Sequence, residues 1–203
     1  MEPLVIGVLA LQGAFAKHIE VLQSLGAVVV EVRKPADLEA CDALVIPGGE
    51  STTMMKQMEF IDFFDAFRQF SAKKPVFGTC AGLILMSQKI IGDTMRPFEL
   101  LNVEVERNAF GRQVESFHTD IDLQIKPGHS KQIPAVFIRA PRIRQIGESV
   151  EVLARLENEP VLIRQGFHLG ATFHPELTPD YSVHAYFLGL VAEKLKANRA
   201  KCS

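Results

Sequence analysis

Cysteine is scarce, with three residues in 203, at positions 41, 80 and 202. A small, odd and widely spaced set argues against a disulfide framework and for a reducing compartment. No Cys-x-x-Cys pair occurs, so the usual ligand pattern of a structural zinc site is missing. An excess of charge of one sign is missing as well. The formal net charge is −2, and no overall positive field points to nucleic acid or to an anionic membrane. Long apolar runs are also absent. The longest near the start covers residues 4–11, far below the roughly 20 residues that a spanning helix needs. It carries neither the basic leader nor the small-residue cleavage site of a secretory signal. These absences predict a cytoplasmic protein whose partners include neither membrane nor nucleic acid.

What is present is ordinary for a globular protein: 47% apolar and 23% charged residues. The length suits one domain over residues 1–203 with a sizeable core. The chain shows no repeat and no low-complexity segment. Short apolar runs alternate with helical patterns in the first half. Strands are expected at 4–11, 27–32, 43–47 and 75–78, and helices at 14–25, 52–70 and 81–90. Phe60, Phe63, Phe64, Phe67 and Phe70 have the spacing of one buried helix face. Alternating strands and helices imply parallel pairing through crossover helices, with both faces of the sheet covered. The second half reads as strands at 103–107, 116–125, 135–139, 150–156, 160–164 and 169–173, an antiparallel or mixed extension of the same sheet. The polar stretch 128–132 reads as a loop. A last helix at 182–198 follows Thr178-Pro179, a cap and a first-turn proline. Its basic end, from Lys194 onward, is a solvated helix terminus. The fold class is α/β, a three-layer sandwich with a mixed, largely parallel central sheet flanked by helices.

The most informative segment is Pro75-Val-Phe-Gly-Thr-Cys80-Ala-Gly-Leu. A strand ends at Gly78, Cys80 follows, and two small residues open a helix. A nucleophile on so tight a turn projects from the carboxyl edge of the sheet, where open α/β folds place their ligands. The helix start favours a thiolate, the reactive form of the side chain. The plainer reading is a small buried apolar residue. Cys41 and Cys202 lack this context: Cys41 belongs in or near the core, and Cys202 in a frayed tail.

A cysteine nucleophile needs a base, and the base needs an orienting group. Of the six histidines, His18, His118, His129, His168 and His184 read as surface or packing residues. His174 differs. It ends a strand and is followed by Pro175 and Glu176. In extended backbone, residues two apart project to the same side. The Glu176 carboxylate can therefore accept a hydrogen bond from one ring nitrogen and leave the other for the sulfur. A third segment, Pro47-Gly-Gly-Glu-Ser-Thr-Thr53, lies between a strand and a helix. Its glycines can aim backbone N–H groups at an anion or an oxyanion. It reads equally as a plain turn followed by a Ser/Thr helix cap. It does not match a P-loop.

Taken together, Pro-Gly-Gly-Glu-Ser-Thr-Thr (47–53), Gly-Thr-Cys-Ala-Gly (78–82) and Phe-His-Pro-Glu-Leu-Thr (173–178) resemble the class I (triad) glutamine amidotransferases. More narrowly, they resemble the glutaminase subunits of pyridoxal 5′-phosphate synthase, the PdxT/SNO family. Gly-Val-Leu-Ala-Leu-Gln-Gly (7–13), Val-Glu-Arg-Asn-Ala-Phe-Gly-Arg-Gln (105–113) and Phe-Ile-Arg-Ala-Pro (137–141) extend the match from about residue 4 to 190. Ser-Phe-His-Thr-Asp (116–120) departs from the family pattern at His118 and Thr119.

The resemblance implies a set of roles. Cys80 would be the nucleophile, His174 the base and Glu176 its orienter. Gly49, Glu50 and Ser51 would hold glutamine, with Arg107, Ile138 and Arg139 completing its pocket. The N–H groups of Gly49 and Ala81 would form the oxyanion hole, and Gln12 would lie near a partner interface. No metal or organic cofactor is expected. The partner would be the lyase subunit of pyridoxal 5′-phosphate synthase (the PdxS/SNZ family), often as twelve copies of each. That subunit joins ribose 5-phosphate, glyceraldehyde 3-phosphate and the ammonia into the vitamin B6 coenzyme. Three other readings remain open: the glutaminase of another amidotransferase such as imidazole glycerol phosphate synthase, a non-catalytic assembly module, and a hydrolase of small esters or peptides.

Overall fold

The computed structural model describes residues 2–107, 116–126 and 128–201. Among these, the strands of the main sheet are β1 (Val5–Leu9), β2 (Val28–Val32), β3 (Ala43–Ile46), β4 (Val76–Thr79), β7 (Ser116–Lys126), β8 (His129–Ile138), β10 (Glu151–Leu156), β11 (Glu159–Gln165) and β12 (His168–Ala171). A smaller sheet contains β5 (Ser87–Ile90), β6 (Leu101–Glu106) and β9 (Arg142–Ile146). The helices are α1 (Phe15–Ser24), α2 (Ser51–Phe60), α3 (Phe63–Ser71), α4 (Ala81–Met86) and α5 (Ser182–Lys201).

The main sheet has the order β2-β1-β3-β4-β12-β11-β10-β7-β8. The first five strands run parallel. From β12 outward every pairing is antiparallel. The mixed sheet expected from the sequence is thus parallel over its first half and antiparallel over its second. β12 is the hinge of this arrangement. It is last in the chain among the strands, yet it inserts beside β4.

The period of two along β1, β3 and β4 sorts their side chains between two cores. Ile6, Val8, Ala43, Val45 and Phe77 face α1 and α5, with Phe173 and Phe187. Leu9, Leu44, Ile46 and Val76 face α2, α3, α4 and the small sheet. Both faces are buried, which is why these strands read as continuous apolar runs. Each large buried side chain here stabilises the fold by roughly 1.5–3 kcal/mol.

Four elements differ from the sequence reading. The helix expected over 52–70 is two helices, broken at Asp62, whose φ is 54°. Aspartate is among the few residues that visit this left-handed region readily. The break separates the aromatic residues: Phe63, Phe67 and Phe70 are buried, whereas Phe60 is 89% exposed. The helix expected over 81–90 ends at Met86, where the Ser87 hydroxyl donates to the Ile84 carbonyl at 2.8 Å and the chain enters β5. A side-chain donor there takes up a carbonyl that the helix end leaves free. The loop expected at 128–132 is the start of β8. Its first residues are exposed, so a polar composition is compatible with a strand on the sheet edge. The strand β9 had no counterpart in the sequence reading. Cys41 lies fully buried, as expected, whereas Cys202 falls outside the described residues.

Gly82 lets α4 approach β3 closely: a Cβ there would lie 2.2 Å from the Ile46 backbone oxygen. Backbone cannot swing aside as a flexible side chain does. Gly82→Ala is therefore expected to destabilise the fold by about 1–3 kcal/mol, the scale of overpacking in a well-filled core. Chemical denaturation at neutral pH measures it, and an unchanged midpoint contradicts the close packing.

Candidate active site

The carboxyl ends of β1, β3, β4 and β12 meet at one rim. Four short loops leave it, and they carry Gln12 and Gly13, Gly48 and Gly49, Cys80, and His174. Cys80 stands between β4 and α4 with φ 49° and ψ −102°. A non-glycine residue there is strained, and such strain persists only where the surroundings impose it. They do so here: the Cys80 N–H donates to the Ala171 carbonyl at 2.8 Å, and its own carbonyl accepts from Ile84 at 3.2 Å. The turn is thereby stitched to β12 on one side and into α4 on the other. The sulfur is 3.8 Å from the Ile138 carbonyl oxygen, and Cys80 retains 6% of its surface.

His174 stands three residues past the end of β12. Its Nδ1 donates to Glu176 Oε1 at 2.7 Å, and the ring is within hydrogen-bonding reach of the Cys80 sulfur. Pro175 and Glu176 form a short 3₁₀ turn, so the carboxylate folds back beneath the ring. Gly48 lines the opposite side of the imidazole. A Cβ at position 48 would meet His174 Cε1 at 2.3 Å, so only glycine lets the β3 loop pass this ring. Burial opposes a charge on His174. Its hydrogen bonds to Cys80 and Glu176, and the negative charge they bring, outweigh burial and raise it to about 10. Glu176 is 3% exposed. Burial favours its neutral form, but the facing histidines His18 and His174 hold it below the usual carboxylate range.

A cleft of 390 Å³ opens over the sulfur, lined by Gly13, Gly49, Ser51, Arg107, Arg139 and His174 among others. That volume admits a ligand the size of an amino acid. Of the residues singled out from the sequence, Gly49, Glu50, Ser51, Cys80, Arg107, Ile138, Arg139 and His174 all line it. Ala81 and Glu176 are buried behind it. Arg107 donates to Ser51 Oγ at 3.2 Å and Thr52 Oγ1 at 3.0 Å, and pairs with Asp93 at 3.2 Å. The guanidinium is thus held at the cleft by neighbours from both flanking segments.

Two residues hold positions that the sequence left undetermined. Glu50 caps α2: its carboxylate accepts from the N–H groups of Thr52 and Thr53 at 3.1 and 2.7 Å and from the Thr53 hydroxyl at 2.7 Å. The cap on this helix is therefore a glutamate rather than the Ser or Thr that the pattern offered. Gln12 backs the glycine turn, its Oε1 accepting from the Glu50 N–H at 3.1 Å. The Gly48 carbonyl accepts from the Ala14 N–H at 3.1 Å, which fixes the plane of the peptide that carries the Gly49 N–H.

Other contributors escaped the sequence reading. Asp93, which tethers Arg107, lies in a segment without a distinctive pattern. His18 and His184, read as surface or packing residues, are fully buried and stand behind Glu176. The only hint of them was the polarity of two residues on otherwise apolar helix faces. His168, read in the same way, accepts at Nδ1 from the Val76 N–H at 3.2 Å and ties β12 to the start of β4. Asn108 to Gln113, part of a motif used above, lie outside the described residues.

The model of the SNO glutamine amidotransferase family matches residues 8–193. The chain is 50% identical to the pyridoxal 5′-phosphate synthase subunit PdxT of Halalkalibacterium halodurans, over 93% of this chain and 95% of that one. It is 52% identical to the PdxT subunit of Pelotomaculum thermopropionicum, over 90% and 93% of the two chains. Among solved structures, a glutamine amidotransferase crystal structure superposes with a TM-score of 0.86 at 48% identity, covering 92% of this chain and 98% of that one.

The histidines set opposing limbs on the pH dependence of stability. His174 is raised from 6.5 to about 10, so its contribution is complete below pH 6.5 and is lost as pH climbs toward 10. His168 and His184 are lowered by burial to about 4 and about 3, so their burial costs stability as pH falls from 6.5 toward those values. The thermal midpoint is expected to peak near neutral pH and to fall on both sides. His174→Asn should flatten the alkaline limb and spare the acid one. An unaltered alkaline limb in that variant contradicts the shift assigned to His174.

Proposed function

The chain belongs to the SNO glutamine amidotransferase family, and from that premise we propose that it is the glutaminase subunit of a pyridoxal 5′-phosphate synthase. It hydrolyses L-glutamine to L-glutamate and ammonia through Cys80, His174 and Glu176. The observation that carries this reading is the convergence of the three side chains at one cleft, although Cys80 and His174 come from distant parts of the chain. The cleft has room for one small amino acid and an arginine at its wall. We read residues 1–203 as one glutaminase domain. The unpaired Cys41 and Cys80 support a reducing, cytoplasmic setting.

The reaction follows from the charges. A cationic ring beside a sulfur favours the thiolate, which attacks the side-chain carboxamide carbon of glutamine. The N–H groups of Gly49 and Ala81 receive the developing oxyanion, a contribution of about 3 kcal/mol per donor in comparable sites. Held protonated by Glu176, His174 gives its proton to the departing nitrogen. The C–N bond breaks, ammonia leaves, and a γ-glutamyl thioester remains. The now neutral ring takes a proton from water as the water attacks the thioester, and glutamate and the sulfur are released. Arg107 and Arg139 are placed to bind the substrate α-carboxylate, for which a guanidinium is the matching donor. Gly49, Glu50 and Ser51 line the cleft that holds glutamine, and Glu50 and Gln12 also fix the glycine turn. The acceptor of the ammonia is the lyase subunit of the synthase (the PdxS/SNZ family), in an assembly of twelve copies of each, with Gln12 toward that partner.

Glutamate release is measured with the synthase subunit present. Cys80→Ala should lose about 10⁴-fold or more in kcat with unchanged secondary structure, the scale on which triad knock-outs act. Activity close to that of the parent refutes the nucleophile. Arg107→Ala should raise the glutamine KM by roughly 10–100-fold while changing kcat less, because it removes a charged hydrogen bond made equally in substrate and transition state. A lowered kcat at constant KM contradicts that role.

A further inference from the structure

Behind the proposed triad, in an apolar layer, lie polar groups that the reaction described above does not use. His18 from α1, Thr79 from β4 and His184 from α5 have no exposed surface. They sit against aromatic rings: Phe77 meets His18 edge-on at 6.3 Å and His184 at 5.7 Å, and Phe187 packs on Phe77 at 5.4 Å. Two imidazoles buried in such surroundings are costly unless their nitrogens are partnered. Their contacts form a line. His184 Nε2 is 2.9 Å from His18 Nδ1, His18 Nε2 is 3.2 Å from Thr79 Oγ1 and 3.4 Å from Glu176 Oε2, and Glu176 Oε1 accepts from His174. Glu176 Oε2 and His184 Nδ1 are both buried without a hydrogen bond of normal geometry.

Of the two tautomer arrangements, only one leaves no ring N–H orphaned and no ring lone pair facing the carboxylate. If His18 carried its proton on Nδ1, its bare Nε2 lone pair would face an anionic oxygen. His184 would then have to accept at Nε2, leaving its N–H at Nδ1 buried with no acceptor. With both protons on Nε2, His184 donates to His18 and His18 donates toward Glu176. The unpartnered atom is then a lone pair at His184 Nδ1, a cheaper loss than a stranded N–H or a repelled charge. Burial keeps both rings neutral at pH 7, which this arrangement requires. The titratable groups facing Glu176 are His174 on its own turn and His18 from α1, with His184 from α5 one ring further back.

We propose that His18 is a positioning residue for the triad: in its Nε2–H tautomer, held by His184, it donates to the second oxygen of Glu176 and keeps that carboxylate ionised and turned toward His174. The proposal rests on the glutaminase reading for its kinetic consequences, and on the contact geometry and burial of the two rings for the tautomer. The 3.4 Å separation is long for such a bond, and hydrogen bonds of catalytic sites are often long before substrate is bound.

Two measurements test it. In the first, the histidines are labelled with nitrogen-15 and assigned with single variants in the complex with the synthase subunit. His18 and His184 should both be neutral at pH 7 with the proton on Nε2. A proton on Nδ1 of His18, or a charged His18, overturns the proposal whether or not the chain releases glutamate. In the second, glutamate release is followed in the same complex. His18→Leu should lower kcat by about 10–100-fold, as losses of supporting hydrogen bonds do, with the glutamine KM little changed. The acid limb of its kcat/KM profile should move up by about one pH unit, because Glu176 loses a donor. His18→Gln, whose amide nitrogen reaches the same place, should recover most of kcat and restore the acid limb. An equal loss in both variants with an unmoved acid limb indicates packing only and overturns the proposal. If His18→Leu does not fold, His18→Gln and the nitrogen spectra decide. A wild-type complex without glutaminase activity refutes the functional reading and leaves the tautomer result standing by itself.

Discussion

The parallel register between β4 and β12 is the constraint on which the cleft depends. Gly170 lies opposite Gly78 and Ala171 opposite Thr79, so both strands end at the same height on the rim. The residue after β4 is Cys80, and its N–H continues the ladder to Ala171. Three residues past Ala171 stands His174. A slip of one residue would turn every side chain of β12 to the other face of the sheet. Leu169 and Ala171 would then leave the core that they share with Phe77 and Phe173. The hydrophobic pattern that stabilises the fold therefore also sets the placement of sulfur and imidazole. The same pairing explains the return of the last strand to the middle of the sheet: His174 comes beside Cys80 only if its strand neighbours the one that leads to the sulfur.

Upon this frame the electrostatics run in opposing directions. Glu176 is ionised in a place that disfavours charge, and His174 is cationic in a place that disfavours charge. Each makes the other tolerable. The arrangement works because the pair is small and closely hydrogen-bonded, and because the layer beneath it supplies neutral dipoles rather than more charge. His18 and His184 stay neutral through burial, so they add no repulsion to the protonated His174. Around the cleft mouth the positive charge is of another kind. Arg107 is only partly buried and is held by two hydroxyls and Asp93. It is therefore oriented without being fully neutralised, the state in which a guanidinium best receives an anionic ligand.

Much of this was legible in the chain. The strand–helix alternation announced a parallel sheet because a strand covered on both faces must be apolar throughout, and residues 4–11 and 43–47 are. Cys80 was conspicuous because its neighbours Gly78 and Gly82 leave room for a tight turn, and His174 because Pro175 and Glu176 bend the chain at once. Other features were not legible because they depend on tertiary partners. The phenylalanine spacing from 60 to 70 implies one long helix, but Asp62 can adopt a left-handed conformation that no spacing records. Glu50 reads as a ligand; it lines the cleft, and its carboxylate also caps α2, a role that depends on the direction of that helix. The polar residues at the start of β8 resemble a loop because an exposed sheet edge tolerates the same composition. His18 and His184 looked like generic helix residues, since two positions 166 apart say nothing about facing each other until the sheet brings α1 and α5 together.

The central claim is that glutamine is held in the cleft with its carboxamide against the Cys80 sulfur. The most direct measurement is covalent trapping by diazo-oxonorleucine, a glutamine mimic that alkylates a thiolate with loss of dinitrogen, followed by peptide mass spectrometry of the chain in complex with the synthase subunit. A single adduct is expected on the peptide that carries Cys80, suppressed by excess glutamine. An adduct on Cys41 instead, or none while glutamate is still being released, would contradict it.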